Sequence, residues 1–307
     1  MPNWIGDFLM ALAVVKRKAA DPSYAVSLII PEKLESLAFL VDDFPTLIYR
    51  RSDRKAFANT LREVKEGEFK TLFILPHSFS SAYFGFRTGV KRRRGIRAEG
   101  RSILLSDRVA ASHATRHNHL TCEYSRVLET EYVPPDRWRG VSFDSQAEFS
   151  SDIVLCPGAA FGPAKKWPHY AELVKLMPER RFTILGNARD RAEGERIASL
   201  FPGRVKNIAG QTTLKQAFSI IASASAVVAN DSGLMHAAGY LGTPVAGIYG
   251  STSPVWTRPL GRRVRIAAAQ CGCSPCFKRE CSRSGDQYVC QESIPAERVV
   301  RLLGEMV

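Results

Sequence analysis

The 307-residue sequence has no stretch of about 18 consecutive apolar residues, so no membrane-spanning helix is expected. It has no secretory leader pattern either. Asp7 interrupts the early apolar stretch, and Lys16, Arg17 and Lys18 follow that stretch instead of preceding it. The expectation from this pattern is a cytoplasmic chain. No 20–50-residue repeat and no low-complexity tract occurs, which excludes solenoids and disordered tails. No G-x-G-x-x-G follows an early strand, which argues against a nucleotide-dependent oxidoreductase. Acidic residues are scarce: 30 Asp and Glu stand against 43 Lys and Arg, a net charge of +13. Such a balance points to an anionic partner, whether nucleic acid, an acidic membrane surface or a phosphorylated substrate. What remains is ordinary globular material, 45% hydrophobic and 24% charged, enough for two domains.

Short apolar runs alternate with amphipathic stretches. Strands are predicted over residues 25–30, 46–49, 71–75, 153–156, 182–185, 205–208, 226–229 and 245–249. Helices are predicted over 5–18, 54–66, 117–130, 169–177, 190–200, 214–224 and 234–240. This alternation indicates βαβ units and parallel sheets, an α/β fold. The nearly continuous apolar character of the runs fits strands covered on both faces. Pro134, Pro135 and Gly140 break the periodicity, and residues 142–151 are polar. The expected domains are therefore 1–145 and 146–307, with a cleft between them. Ligands of open α/β sheets bind beyond the carboxyl ends of the strands, so the chemistry belongs in the loops that follow them.

Four segments occupy such positions. In residues 226–236 a buried strand runs through Asn230, Asp231, Ser232 and Gly233 into a helix carrying His236. Exposed backbone N–H groups and a helix dipole would make an anion site there, although a plain capped turn has the same pattern. Residues 156–168 form a second loop of small residues, which supplies Lys165 and ends in Pro168. Lys165 and Lys166 by themselves describe a solvated pair; beside an anion-friendly turn, Lys165 becomes a phosphate clamp. In the third segment, residues 185–190, Asp190 suits either a ribose hydroxyl or a helix cap. In the fourth, residues 3–7, Asp7 stands at a helix entrance as a cap or a general base.

Together these segments resemble the heptosyltransferases of glycosyltransferase family 9, most closely the ADP-heptose:lipopolysaccharide heptosyltransferase II group. The resemblance runs through residues 2–7, 75–82, 92–101, 156–158, 162–168, 230–236 and 272–281. It implies the GT-B type: two Rossmann-like domains with parallel sheets facing a central cleft, the acceptor in the first and the ADP-sugar in the second. The last helix is expected to pack back on the first domain. The implied donor substrate is ADP-L-glycero-β-D-manno-heptose, and the implied acceptor is the first heptose of the lipopolysaccharide inner core on Kdo-lipid A. The reaction inverts the anomeric centre, with no cofactor and no metal in the fold's usual mechanism.

The resemblance also distributes roles. Asp7 is the expected base. Lys165 and the backbone N–H groups of Ser232, Gly233 and Leu234 face the diphosphate. Asp190 holds the ribose, Gly210 and Thr212 frame the adenine, and Asp231 and His236 line the donor sugar. Lys91, Arg92, Arg93, Arg94, Arg97 and Arg101 are expected to face the anionic acceptor and the inner leaflet, with no nucleic-acid partner. Family members start with a strand ahead of the segment matching residues 2–7. Met1 directly precedes Pro2 here, which implies a gap in the first sheet. Five of the seven cysteines crowd into residues 271–290. Cys273, Cys276, Cys281 and Cys290 could hold zinc, but their irregular spacing and the resemblance favour a metal-free loop, with Cys122 and Cys156 in the core.

Overall fold

The computed structural model describes residues 1–98, 100–111, 117–143 and 152–306. The chain forms two compact units, Met1–Val133 and Pro134–Val307. The division falls at the first proline of the predicted junction because the residues after it pack on the second unit. The N–H of Gly261 donates to the Pro135 carbonyl at 2.8 Å, and the Trp138 indole N–H donates to the Tyr240 carbonyl at 2.8 Å. Trp138 also stacks on Tyr240 with centroids 5.4 Å apart. The expected boundary at 145/146 lies outside the described residues.

The first unit contains α1 (Ile5–Ala19), β1 (Leu28–Pro31), β2 (Thr46–Tyr49), α2 (Arg54–Glu66), β3 (Thr71–Ile74), α3 (Phe79–Arg87), β4 (Arg92–Ile96), β5 (Asp107–Val109) and α4 (Leu120–Leu128). Residues 8–15 of α1 are all buried, and the helix packs against α4. Asp7 in its first turn and Lys16, Arg17 and Lys18 in its last complement the helix dipole. Asp53 caps α2 by accepting from the N–H groups of Lys55 and Ala56 at 2.8 and 2.9 Å. The strands form two separate parallel ladders, β1–β2 and β3–β4–β5.

The second unit contains β6 (Ile153–Cys156), α5 (Tyr170–Leu176), β7 (Phe182–Ile184), α6 (Arg191–Ala198), β8 (Val205–Asn207), α7 (Leu214–Ser223), β9 (Ala226–Asn230), α8 (Gly233–Leu241), β10 (Val245–Tyr249), α9 (Pro254–Thr257), β11 (Val264–Ala268), α10 (Val289–Glu292) and α11 (Ala296–Gly304). Its parallel sheet has the order β11-β10-β9-β6-β7-β8. Every residue of β6, β9 and β10 is buried, as strands covered on both faces require. The chain winds outward from β6 to β8 and then restarts on the other side at β9. The switch point therefore lies between the carboxyl ends of β6 and β9, where open sheets take their ligands. The last helix, α11, packs on α5, β10 and β11, and its Val299 and Leu303 belong to the second unit's core. Its apolar stripe is complementary to that sheet face.

Candidate active site at the β6/β9 switch point

The site is built on two consecutive residues at the end of β9. Asn230 is fully buried. Its amide donates to the Pro157 carbonyl at 2.7 Å, while its Oδ1 accepts from the Trp167 N–H at 3.2 Å and the Tyr170 hydroxyl at 3.1 Å. One side chain thus pins both ends of the loop after β6 to β9. Asp231, the next residue, holds the middle of that loop. Its Oδ2 accepts from the Lys165 ammonium at 2.5 Å and from the Thr252 hydroxyl at 2.6 Å, and its Oδ1 lies 3.8 Å from Nε2 of His236. Burial alone would raise this carboxyl group, but the pull of His236 and Lys165 outweighs it and brings the group down to about 2. Asp231 is therefore a fixed anion.

Ser232 precedes α8 in an extended conformation, and its side chain makes no capping hydrogen bond. Its buried hydroxyl and Nδ1 of His236 have no hydrogen-bond partner. The first N–H groups of α8 thus lack a side-chain cap, next to a lysine whose partner is the neighbouring Asp231. Lys165 also lies 4.7 Å above the Phe161 ring, with the Arg279 guanidinium 5.3 Å from the same ring.

The cysteine-rich segment supports these loops. The Ala164 N–H donates to the Arg279 carbonyl at 3.1 Å, and the Phe277 N–H donates to the Ser251 carbonyl at 2.7 Å. Ser274 donates to the Gly250 carbonyl at 2.6 Å, and Gln291 donates to the Ala164 carbonyl at 2.8 Å. All seven cysteines are free thiols. Sγ of Cys271 and Cys273 approach to 3.7 Å. Burial pushes Cys290 up to about 11, and the other four thiols of the segment add to the rise. Among the described residues, no group of three His, Cys, Asp or Glu side chains is arranged to hold a metal ion. Cys156 is buried at the end of β6, whereas Cys122 is only half-buried.

The other predicted residues are distributed as follows. Oδ2 of Asp190 accepts from the Asn187 N–H at 3.0 Å, so the carboxylate completes a capping box at the end of β7. Gly210 has φ +72°, and its N–H reaches the Gly186 carbonyl at 2.9 Å. A Cβ there would lie 2.7 Å from Cα of Ala188. Asp190, Gly210 and half-buried Thr212 thus flank one wall beyond β7 and β8. Asp7 is half-buried in the first turn of α1, and its charge helps to raise the buried Tyr124 hydroxyl, after burial itself.

The arginine segment differs from expectation. Residues 92–96 form β4, and the guanidinium groups satisfy their own unit. Arg92 pairs with Asp107 and Glu129, and Arg94 pairs with Asp107 at 2.7 Å while donating to the Val127 and Arg126 carbonyls. Arg93 donates to the Val90 and Leu104 carbonyls. Arg101 is fully buried against the Ile96 and Pro76 carbonyls. Only Lys91 and Arg97 of the six expected cations are exposed, because a strand with acids on its neighbours needs its charges internally.

Sequence reasoning missed Asn230 as the anchor of the β6 loop and Thr252 as a partner of Asp231. The available signal was the small polar run of residues 250–253 directly after the apolar β10, the same strand-then-polar pattern as at Asn230.

No helix among the described residues is long and apolar enough to cross a membrane. The family model for glycosyltransferase family 9 (heptosyltransferase) matches residues 57–285. The chain is 31% identical over 300 residues to lipopolysaccharide heptosyltransferase 2 of Escherichia coli strain K12, covering 86% of this chain and 85% of that protein. It is 30% identical over 301 residues to lipooligosaccharide heptosyltransferase 2 of Haemophilus influenzae, covering 86% of each. The solved structure of E. coli ADP-heptose lps heptosyltransferase II superposes with a TM-score of 0.81 at 26% identity, over 99% of this chain and 96% of that one. The fold is of the GT-B type. By its sequence and its fold, the chain belongs to glycosyltransferase family 9, the heptosyltransferases.

Proposed function

We propose that this chain transfers L-glycero-D-manno-heptose from ADP-L-glycero-β-D-manno-heptose to the first heptose of the lipopolysaccharide inner core, with inversion at the anomeric carbon. The observation that carries the reading is the Lys165 ammonium, fixed 2.5 Å from Asp231 beside the uncapped N-terminus of α8. A cation and a row of N–H groups at a switch point suit a diphosphate. The names of the relatives supply the heptose and the lipopolysaccharide.

In the reaction, the carboxylate of Asp7 takes the proton of an acceptor hydroxyl. The oxygen forms its bond to the anomeric carbon, and the bond from that carbon to the diphosphate oxygen breaks. ADP leaves with the electron pair. Lys165 and the N–H groups of Ser232, Gly233 and Leu234 stabilise the charge gathering on the diphosphate. Asp231 sets the position of Lys165 and, with His236, borders the sugar. Asp190 takes the ribose, and Gly210 with Thr212 frames the adenine. Lys91 and Arg97 supply exposed charge for the anionic acceptor and a peripheral contact with the inner leaflet.

The test combines two measurements. Lys165→Ala should weaken ADP binding by about 1.5–3 kcal/mol in calorimetry, the worth of a charge-assisted hydrogen bond. With ADP-heptose as donor, an acceptor carrying one heptose should be used. Preference for an acceptor with none would reassign the chain to the preceding transfer, and no transfer to either would reject the reading.

A further inference from the structure

The second unit carries a cavity of about 330 Å³, lined by Trp138, Arg139, Gly242, Arg262 and Arg263. Gly242 caps the carboxyl end of α8, and Arg262 and Arg263 immediately precede β11. The Val245 N–H donates to the Arg263 carbonyl at 2.9 Å, so the cavity lies at the amino ends of β10 and β11. Asn230, Asp231 and Thr252 lie at the opposite, carboxyl ends of β9 and β10. The five residues of β10 put about 17 Å between the two places.

The walls of the cavity are held by the protein itself. The Trp138 indole N–H is bonded to the Tyr240 carbonyl at 2.8 Å, and its ring is stacked on Tyr240. A Cβ on Gly140 would lie 2.5 Å from the Leu241 carbonyl oxygen, so glycine is what lets this segment approach the end of α8. Arg263 donates to the Gly242 carbonyl at 2.8 Å and so satisfies the helix end.

Arg139 and Arg262 have no such task. Both are exposed, and neither guanidinium makes a hydrogen bond or ion pair among the described residues. No Asp or Glu lines the cavity. Arg92 and Arg94 differ in this respect, because they share Asp107 and Glu129. Three guanidinium groups around one concavity without a carboxylate concentrate positive potential there. Their planar donor forks match phosphate oxygens, and a doubly charged phosphate group answers them better than a single carboxylate. The volume is at the small end for ligand pockets, which suits a phosphate group and not a whole nucleotide sugar.

We infer that this cavity is a second anion site, remote from Lys165, that binds a phosphomonoester or diphosphate group carried by a soluble ligand or by a lipid headgroup. The inference is independent of the proposed reaction.

The experiment titrates pyrophosphate into the full chain and follows the Trp138 indole N–H resonance, which reports on the cavity wall. Wild-type protein should show a saturable shift. Lys165→Ala should give the same curve, since that lysine lies at the other end of the sheet. The double variant Arg139→Ala/Arg262→Ala should bind about tenfold or more weakly. Its fold is checked by an unchanged Trp138 resonance before pyrophosphate is added and an unchanged thermal midpoint. Sedimentation with phosphatidylcholine vesicles containing phosphatidic acid then separates the sources. A smaller bound fraction for the double variant than for wild type assigns the phosphate to a lipid headgroup. Equal bound fractions, with the pyrophosphate effect intact, assign it to a soluble ligand. A Trp138 resonance that pyrophosphate does not move would overturn the inference, as would one that moves equally in the double variant.

Discussion

Lys165 and Asp231 are 66 residues apart in the chain, yet Nζ of one lies 2.5 Å from Oδ2 of the other. Both side chains are largely withdrawn from solvent, at 13% and 6% exposure. The ion pair joins the loops after β6 and β9, the two strands that flank the switch point. It also means that the cation proposed for the diphosphate is already oriented. Thr252 holds the same carboxylate oxygen, so the lysine sits at the end of a short polar chain, Thr252–Asp231–Lys165.

Asp231 makes stability depend on pH in a defined window. Its folded value of about 2 lies below the ordinary 3.8. A depressed carboxylate contributes stability that is fully present above the unfolded value and is lost as pH falls through the folded one. The shift is worth about 2 kcal/mol. In urea unfolding, wild-type protein should lose that amount relative to Asp231→Asn between about pH 5 and pH 2. A difference between the two proteins that stays constant across this range would show that the carboxylate is not depressed.

Thr252→Val keeps the side-chain shape and removes one donor to Asp231. Loss of a hydrogen bond to a charged group should cost about 1.5–3 kcal/mol of stability. ADP affinity should fall less than in Lys165→Ala, because the lysine keeps its carboxylate partner. An ADP affinity lost to the same extent as in Lys165→Ala would place Thr252 on the ligand itself.

Asn230→Leu should be among the most damaging single changes. It leaves the Pro157 carbonyl, the Trp167 N–H and the Tyr170 hydroxyl without their present partner in a buried site. At about 1–3 kcal/mol for each orphaned group, several kcal/mol of stability should go. Near wild-type stability in denaturant unfolding would mean that the β6 loop is held by something other than Asn230.

Most of the framework is legible in the sequence. The predicted strands 46–49, 153–156 and 245–249 and the helix 54–66 have the bounds found in the structure, because apolar runs and the Asp53 cap mark their ends locally. β4 was hidden: three consecutive arginines look like a solvated charge run until Asp107 and Glu129 are brought beside them. Asp190 shows the opposite limit. Its place after a strand was visible, but its bond to the Asn187 N–H depends on a turn geometry that residue spacing does not specify. The sequence presents Asp231 as a wall of the sugar site, but its contacts to Lys165 and Thr252 are tertiary and cannot be read from it. Such pairings across 66 and 21 residues leave no local periodicity to read.

Asp7→Asn tests the remaining step. The asparagine preserves size but cannot accept the acceptor's proton. Turnover should fall by about two to four orders of magnitude. Asp7 belongs to the first turn of α1, while the residues assigned to ADP all belong to the second unit. ADP affinity in calorimetry should therefore stay at the wild-type value. Full turnover in Asp7→Asn would show that Asp7 is not the base, and would pass that role to another acid or to His236.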